Sequence, residues 1–168
     1  MASGNRIIIS SHPKGVFEEI IVDGTPKPGT VMYRKNVAEV SGAGEWEPAG
    51  TTGSLGMGAD GDMIPIAVLL CFADHAACPP GRTAEDAYVD GERAAVYFPA
   101  HGEKLNMLFG NAAGTADDVT IGMKMIVDDG TGKLVPTTGT PASQPFVALE
   151  AITDPTADQL FACQYSGV

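Results

Sequence analysis

The chain has 168 residues, 10 basic against 21 acidic, and a net charge of -11. This length suits one domain of about 100–200 residues, with a core large enough to stand without disulfide or metal. The carboxylate surplus repels phosphate, so nucleic acid is excluded as a partner class on electrostatic grounds. A hydrophobic share of 44% with only 18% charged residues argues against disorder. Twenty-one glycines and twelve prolines disfavour long helices and point to an all-β domain.

In chain order, the first apolar run is Ile7-Ile8-Ile9, too apolar for a free tail, so it pairs with its own sheet or with a neighbour's. It is also far shorter than the roughly 7–15 apolar residues of a secretory signal, so none is expected here. Turn-bounded segments of strand length follow at Phe17–Val22, Thr30–Arg34, Ala38–Val40, Ile66–Phe72, Arg93–Phe98 and Lys104–Phe109. The series ends with Met123–Asp128, Lys133–Pro136, Phe146–Ile152 and Gln159–Tyr165, which with Arg6–Ser10 makes eleven candidate segments for roughly ten strands. Ile66–Ala73 is the longest apolar run and falls well short of the ~18 residues that cross a bilayer, so no membrane partner is expected.

Between these segments lie turn dipeptides such as Asp23-Gly24, Pro28-Gly29 and Asp90-Gly91. Residues 123–135 predict a hairpin in which Gly130 or Gly132 takes positive φ. Two Gly-rich or acidic stretches, Ser41–Met63 and Asp74–Glu92, predict long loops. The second is expected to carry a short helix over Thr83–Tyr88 with Thr83 as its N-cap. No repeat of solenoid type is visible in the sequence.

The groups able to do chemistry are sparse. Cys71, His75 and Cys78 stand at a spacing that thiolate and imidazole ligands of zinc could share, but they supply only three ligands locally. Small core residues and a loop thiol explain them more simply. An odd count of three cysteines, Cys71, Cys78 and Cys163, fits reduced thiols. His12, His75 and His101 are the available bases for a nucleophile, yet none sits in a catalytic motif, and Ser54 misses the nucleophile-elbow pattern. Asp60-Gly61-Asp62 and Asp128-Asp129-Gly130 lack the full calcium-loop spacing and read as turns. Gly130–Lys133 lacks the complete phosphate-loop pattern. No catalytic, cofactor or metal residue is assigned. Trp46, flanked by Glu45 and Glu47, is either a contact anchor or a lid over the core. The partner-contact candidates are therefore Ile7, Ile8, Ile9 and Trp46.

One resemblance rests on the order of pieces in the carboxy-terminal half: Gly102–Asn106, then Val119–Val135 with its Asp-Gly-Thr-Gly-Lys turn, then Phe146–Ile152 before an acidic turn and a last strand. This order resembles head decoration (capsid cement) proteins of tailed bacteriophages. The resemblance implies a compact β-barrel or β-tulip domain on the outer surface of the capsid, a homotrimer that binds the major capsid protein and stabilises the expanded head. It implies no enzymatic role and no cofactor. On this reading residues 1–25 form an arm with the first strands and 26–168 a single barrel-like decoration domain. We expect the arm through Ile9 to extend a sheet of a neighbour or of the capsid protein. A tail or baseplate β-module, a β-fold hydrolase and a carbohydrate- or protein-binding sandwich are the alternative classes.

Overall fold

Short apolar runs pair as strands throughout the computed structural model, which describes residues 6–34, 45–49, 66–110, 118–128, 131–136, 146–155 and 157–167. The first five strands are β1 (Val16–Val22), β2 (Val31–Arg34), β3 (Glu45–Pro48), β4 (Ala67–Leu69) and β5 (Arg93–Phe98). The second five are β6 (Lys104–Phe109), β7 (Lys124–Val127), β8 (Leu134–Pro136), β9 (Phe146–Ala148) and β10 (Gln159–Tyr165). Helices are absent among the described residues. The all-β barrel domain expected from the sequence is what the structure shows.

The strands are shared between two closed five-stranded rings, one from each half of the chain. The first closes in the order β1-β3-β2-β4-β5 and the second as β6-β8-β7-β9-β10. Strand for strand, these orders are the same. In each ring the first strand runs parallel to the third and every other pairing is antiparallel. The fold is thus duplicated, although the two halves show no repeat that is visible in the sequence.

The rings share one hydrophobic core. In β4, β5 and β6 almost every side chain is buried, because one face lines the ring interior and the other is covered by neighbouring segments. Side chains such as Tyr97, Leu105, Met107, Phe109 and Phe161 are almost completely removed from water. Each contributes roughly 1.5–3 kcal/mol of burial free energy. Phe109 and Phe161 meet edge to face at 5.9 Å.

Two glycines carry the seam between the rings. At Gly29, φ is +85°, and an added Cβ would lie 2.8 Å from the Leu108 nitrogen. Its carbonyl accepts the Leu108 N–H at 3.0 Å, joining the stretch before β2 to β6. Gly132, at φ +65°, leaves space for the Val31 carbonyl, 2.3 Å from where a Cβ would stand. The Val31 N–H donates to the Gly132 carbonyl and the Gly132 N–H to Ala49. Any side chain at either position would combine backbone strain with a steric clash.

Several expectations are refined here. The predicted strands at 93–98, 104–109 and 159–165 match in full. The expected loop Ser41–Met63 contains β3, which the glycine density hid. Arg6–Ser10 forms only a single bridge, Ile8 to Leu105, in place of a full strand. The helix expected over Thr83–Tyr88 is a turn. Thr83 does cap it, accepting the Glu85 N–H at 3.3 Å, and Asp86 Oδ2 returns to the Thr83 N–H and hydroxyl, both at 2.8 Å. The chain then leaves the helical path because Tyr88 is held elsewhere. Its N–H donates to Pro26 and its hydroxyl to Leu70. Gly132 is a positive-φ residue of the predicted β7–β8 hairpin. The predicted strand Ala38–Val40, Ser54, the Asp60-Gly61-Asp62 turn and Asp129-Gly130 lie outside the described residues.

Candidate partner-binding face

The three isoleucines of the amino-terminal segment take three different environments. Ile7 is fully buried, Ile8 is half-buried and Ile9 is 40% exposed. Of the two possibilities left by the sequence, own sheet or neighbour's, the structure places the segment on its own sheet, along β6. The Asn106 N–H donates to the Ile7 carbonyl at 2.7 Å, Ile9 N–H to Lys104 at 3.1 Å, and Lys104 N–H to the Ser10 hydroxyl at 2.8 Å. The Asn106 amide nitrogen also donates to the Arg6 carbonyl at 2.6 Å. The pairing edge expected to reach a neighbour is therefore used inside the chain, because burying Ile7 requires its backbone groups to find partners there.

Asp74 secures this arrangement from the other side. Its carboxylate accepts the N–H groups of Ile7 (2.8 Å) and Ile8 (3.1 Å), and the Cys71 thiol donates to Oδ2 at 3.0 Å. A charged acceptor facing two successive backbone donors is a strong local clamp. One residue on, His75 stacks on Phe17 at 5.1 Å, and Phe17 also meets Tyr97 at 4.9 Å. His75 Nδ1 accepts the Ala77 N–H at 3.1 Å, which leaves the proton of a neutral ring on Nε2.

Tyr97 leads to a buried carboxylate. Its hydroxyl donates to Glu103 Oε2 at 2.6 Å and accepts the Gly15 N–H at 2.7 Å. Glu103 also accepts the N–H groups of Lys14 and of Ala100, the latter at 2.7 Å. Burial opposes the charged form of Glu103, but the hydrogen bonds from Tyr97, Lys14 and Ala100 outweigh it and hold the carboxyl below its ordinary 4.5. Burial first, then the bond to Glu103, pushes the Tyr97 phenol up. This carboxylate ties the arm-to-β1 connection to the β5–β6 turn. Nothing in the sequence marked Glu103 or Asp74, since each is a single acidic residue whose donors lie on distant segments.

Several large apolar side chains of these segments are exposed. Besides Ile9, Val16 is 66% exposed, Phe17 39% and Phe72 42%. These residues belong to the arm, to the start of β1 and to the turn that carries Asp74 and His75. Val89 at 57% and Ile121 at 70% are exposed elsewhere, and exposed apolar side chains of this size are candidates for contact.

The remaining candidates serve the core or stand apart. Cys71, Cys78 and Cys163 are buried thiols that form no disulfide. Burial, with the Asp74 hydrogen bond and charge, pushes the Cys71 thiol up to about 12, and burial raises Cys78 and Cys163 as well. Such thiols stay protonated and are poor nucleophiles or metal ligands at neutral pH. No group of three or more His, Cys, Asp or Glu side chains among the described residues is placed to hold a metal. His12 is exposed beside the Ser11 hydroxyl, and His101 is exposed in the β5–β6 turn.

Trp46 is 5% exposed, belongs to the hydrophobic core and meets Phe98 edge to face at 6.0 Å. Its margin, with Glu18, Glu19, Arg34, His75 and Arg93, lines a cleft of about 570 Å³. Comparison with known families and with curated proteins gives no family model and no curated protein that matches the chain.

Proposed function

We propose that this chain is a structural virion protein that binds the outside of a tailed-phage head and cements neighbouring capsomers. The resemblance of residues 102–152 to head decoration proteins suggests the class. The observation that carries the reading is the exposure of the large apolar side chains Ile9, Val16, Phe17 and Phe72 on the arm, the start of β1 and the turn that carries Asp74. Exposed apolar side chains on an acidic β-domain favour adhesion to protein over contact with nucleic acid. The burial of the three thiols and the engagement of Asp74 and Glu103 in structural hydrogen bonds also favour a role in which no bond is made or broken.

Cementing works by mass action. A protein that binds the assembled shell and not its separated subunits stabilises the shell by an amount that grows with its concentration over its dissociation constant. Contact across the seams between capsomers therefore resists disassembly. A homotrimer of this chain would bring three copies of these exposed apolar side chains to each seam, with one edge of a protomer meeting a different edge of the next.

The test combines the mass of the purified chain in solution with its sedimentation alongside expanded, DNA-free phage heads stripped of decoration protein. Trimer mass, co-sedimentation, density on the outer face and a higher temperature of head disruption are the expected results. Heads that sediment bare at saturating protein would overturn the reading, as would a genuine catalytic turnover by the purified chain.

A further inference from the structure

We infer that the outward edge of β1 at Phe17–Glu19 is a docking site for an extended, antiparallel segment of another protein, with basic side chains opposite Glu18 and Glu19 and an apolar one opposite Phe17.

The direction of the backbone groups follows from the register. Leu70 N–H donates to the Ala95 carbonyl at 2.9 Å, so the odd-numbered residues of β5 face β4 and the even-numbered ones face β1. Because Val16 pairs with Phe98 and Glu18 with Val96, the even residues of β1 turn their N–H and C=O groups to β5. The Val22 N–H bond to Glu92, at 3.0 Å, has the same parity. Phe17 and Glu19 therefore present their backbone groups to the opposite side. There β3 covers only Ile21 and Val22. Among the described residues no strand pairs with Phe17 or Glu19 on that side, and Val16 through Glu19 are all exposed.

The duplicated fold shows what such an edge accepts. Asp23 N–H to Trp46 in the first ring corresponds to Gly110 N–H to Leu134 in the second. That equivalence sets Phe17, Glu18 and Glu19 against Lys104, Leu105 and Asn106. In the second ring these three positions face Ile9, Ile8 and Ile7 of the amino-terminal segment, an antiparallel addition bridged at Ile8–Leu105. Among the described residues the first ring has the same edge without an added segment, beside the cleft that Glu18 and Glu19 help to line. An unfilled edge of this kind is a template for β-augmentation.

Charge selects the occupant. Directly opposed residues of an added strand are side-chain neighbours, and like charges there are destabilising. Glu18 and Glu19 place a carboxylate on each face of the added strand, which calls for Lys or Arg at two successive positions. The backbones of Arg34, paired with Trp46, and Arg93, paired with Ile21, lie beyond the open stretch, and both residues line the same cleft as Glu18 and Glu19, so the added basic side chains would meet the two carboxylates in a mixed-charge setting. A second copy is disfavoured, since each carries a net charge of -11 and its own segment is committed to β6 with Ile7 buried. A shell subunit is the source that the proposed function supplies, and to that extent the inference rests on that reading. The test below uses no shell, so the two fail separately.

The experiment is residue-resolved amide exchange on the full chain, alone and with acetyl-Thr-Lys-Lys-Val-Thr-amide or its Glu-Glu counterpart. In the free chain Phe17 and Glu19 should exchange fast while Glu18 and Ile20 are protected. The Lys peptide, at about ten times its dissociation constant, should slow Phe17 and Glu19 about tenfold, and the Glu peptide should not. Glu18→Lys combined with Glu19→Lys should exchange the preference between the peptides. Four results would each overturn the proposal: protection of both amides in the free chain, protection that grows with protein concentration alone, no slowing by the Lys peptide, or a preference unchanged in the double variant.

Discussion

The two rings have one topology and differ in how their leading strands are finished. Along β6 the outward N–H groups of Lys104, Asn106, Leu108 and Gly110 are satisfied in turn by Ser10, Ile7, Gly29 and Leu134, contributed by three separate segments. Along β1 the corresponding edge is covered by β3 at its carboxy-terminal end and stays open at Phe17 and Glu19 among the described residues. A buried strand must pair every backbone group, whereas an exposed one leaves them to water. The burial of β6 and the exposure of the first half of β1 therefore follow from the same accounting.

The comparison is broken most severely by emptying the covered edge. Ile7→Ala removes a fully buried side chain from the segment that pairs with β6 and should cost about 2–5 kcal/mol, read from the urea midpoint. Faster exchange at Asn106 should accompany the loss. Gly29→Ala strains a left-handed backbone and presses on the Leu108 nitrogen, for an expected cost of about 2–4 kcal/mol in the same measurement. Unchanged stability in either variant would mean that β6 does not depend on its borrowed partners.

The Glu103 cluster, which ties the start of β1 to β6, sharpens the comparison through pH. Glu103→Gln keeps the shape but weakens the charge-assisted bonds from Tyr97, Lys14 and Ala100, at about 1–3 kcal/mol near neutral pH. Because the folded-state pKa of Glu103 is depressed, its contribution is fully present above the ordinary 4.5. That contribution is lost as pH falls through the lower folded value. The stability gap between wild type and variant should therefore narrow in acid, and a gap that widens there would contradict the assignment. Smallest of all, Val16→Thr on the open edge should change stability by no more than about 0.5 kcal/mol, since its side chain is 66% exposed. A larger loss would show that the edge is packed after all.

Much of the strand pattern was legible locally. Arg93–Phe98, Lys104–Phe109 and Gln159–Tyr165 are uninterrupted runs of strand-forming length bounded by turn residues, and they fold as such. Glu45–Pro48 was hidden because a four-residue strand within a Gly-rich stretch has too little pattern of its own. Thr83–Tyr88 carries genuine helix-start chemistry, yet the distant partners Pro26 and Leu70 draw Tyr88 off the helical path. The isoleucine run announced that it had to pair, but its neighbour, β6, lies almost a hundred residues away.

By itself the sequence determined the all-β character, the positions of most strands, the acidic surface and the absence of a recognisable catalytic motif, because these depend on composition and on contacts within a few residues. Only the tertiary structure decided that the strands divide into two rings of one topology, that Asp74 and Glu103 anchor the junction, and that one edge is filled while its counterpart stands open among the described residues. Those outcomes rest on pairings between residues far apart in the chain. Hydrogen-bond geometry and burial select such pairings, and local sequence pattern carries no record of them.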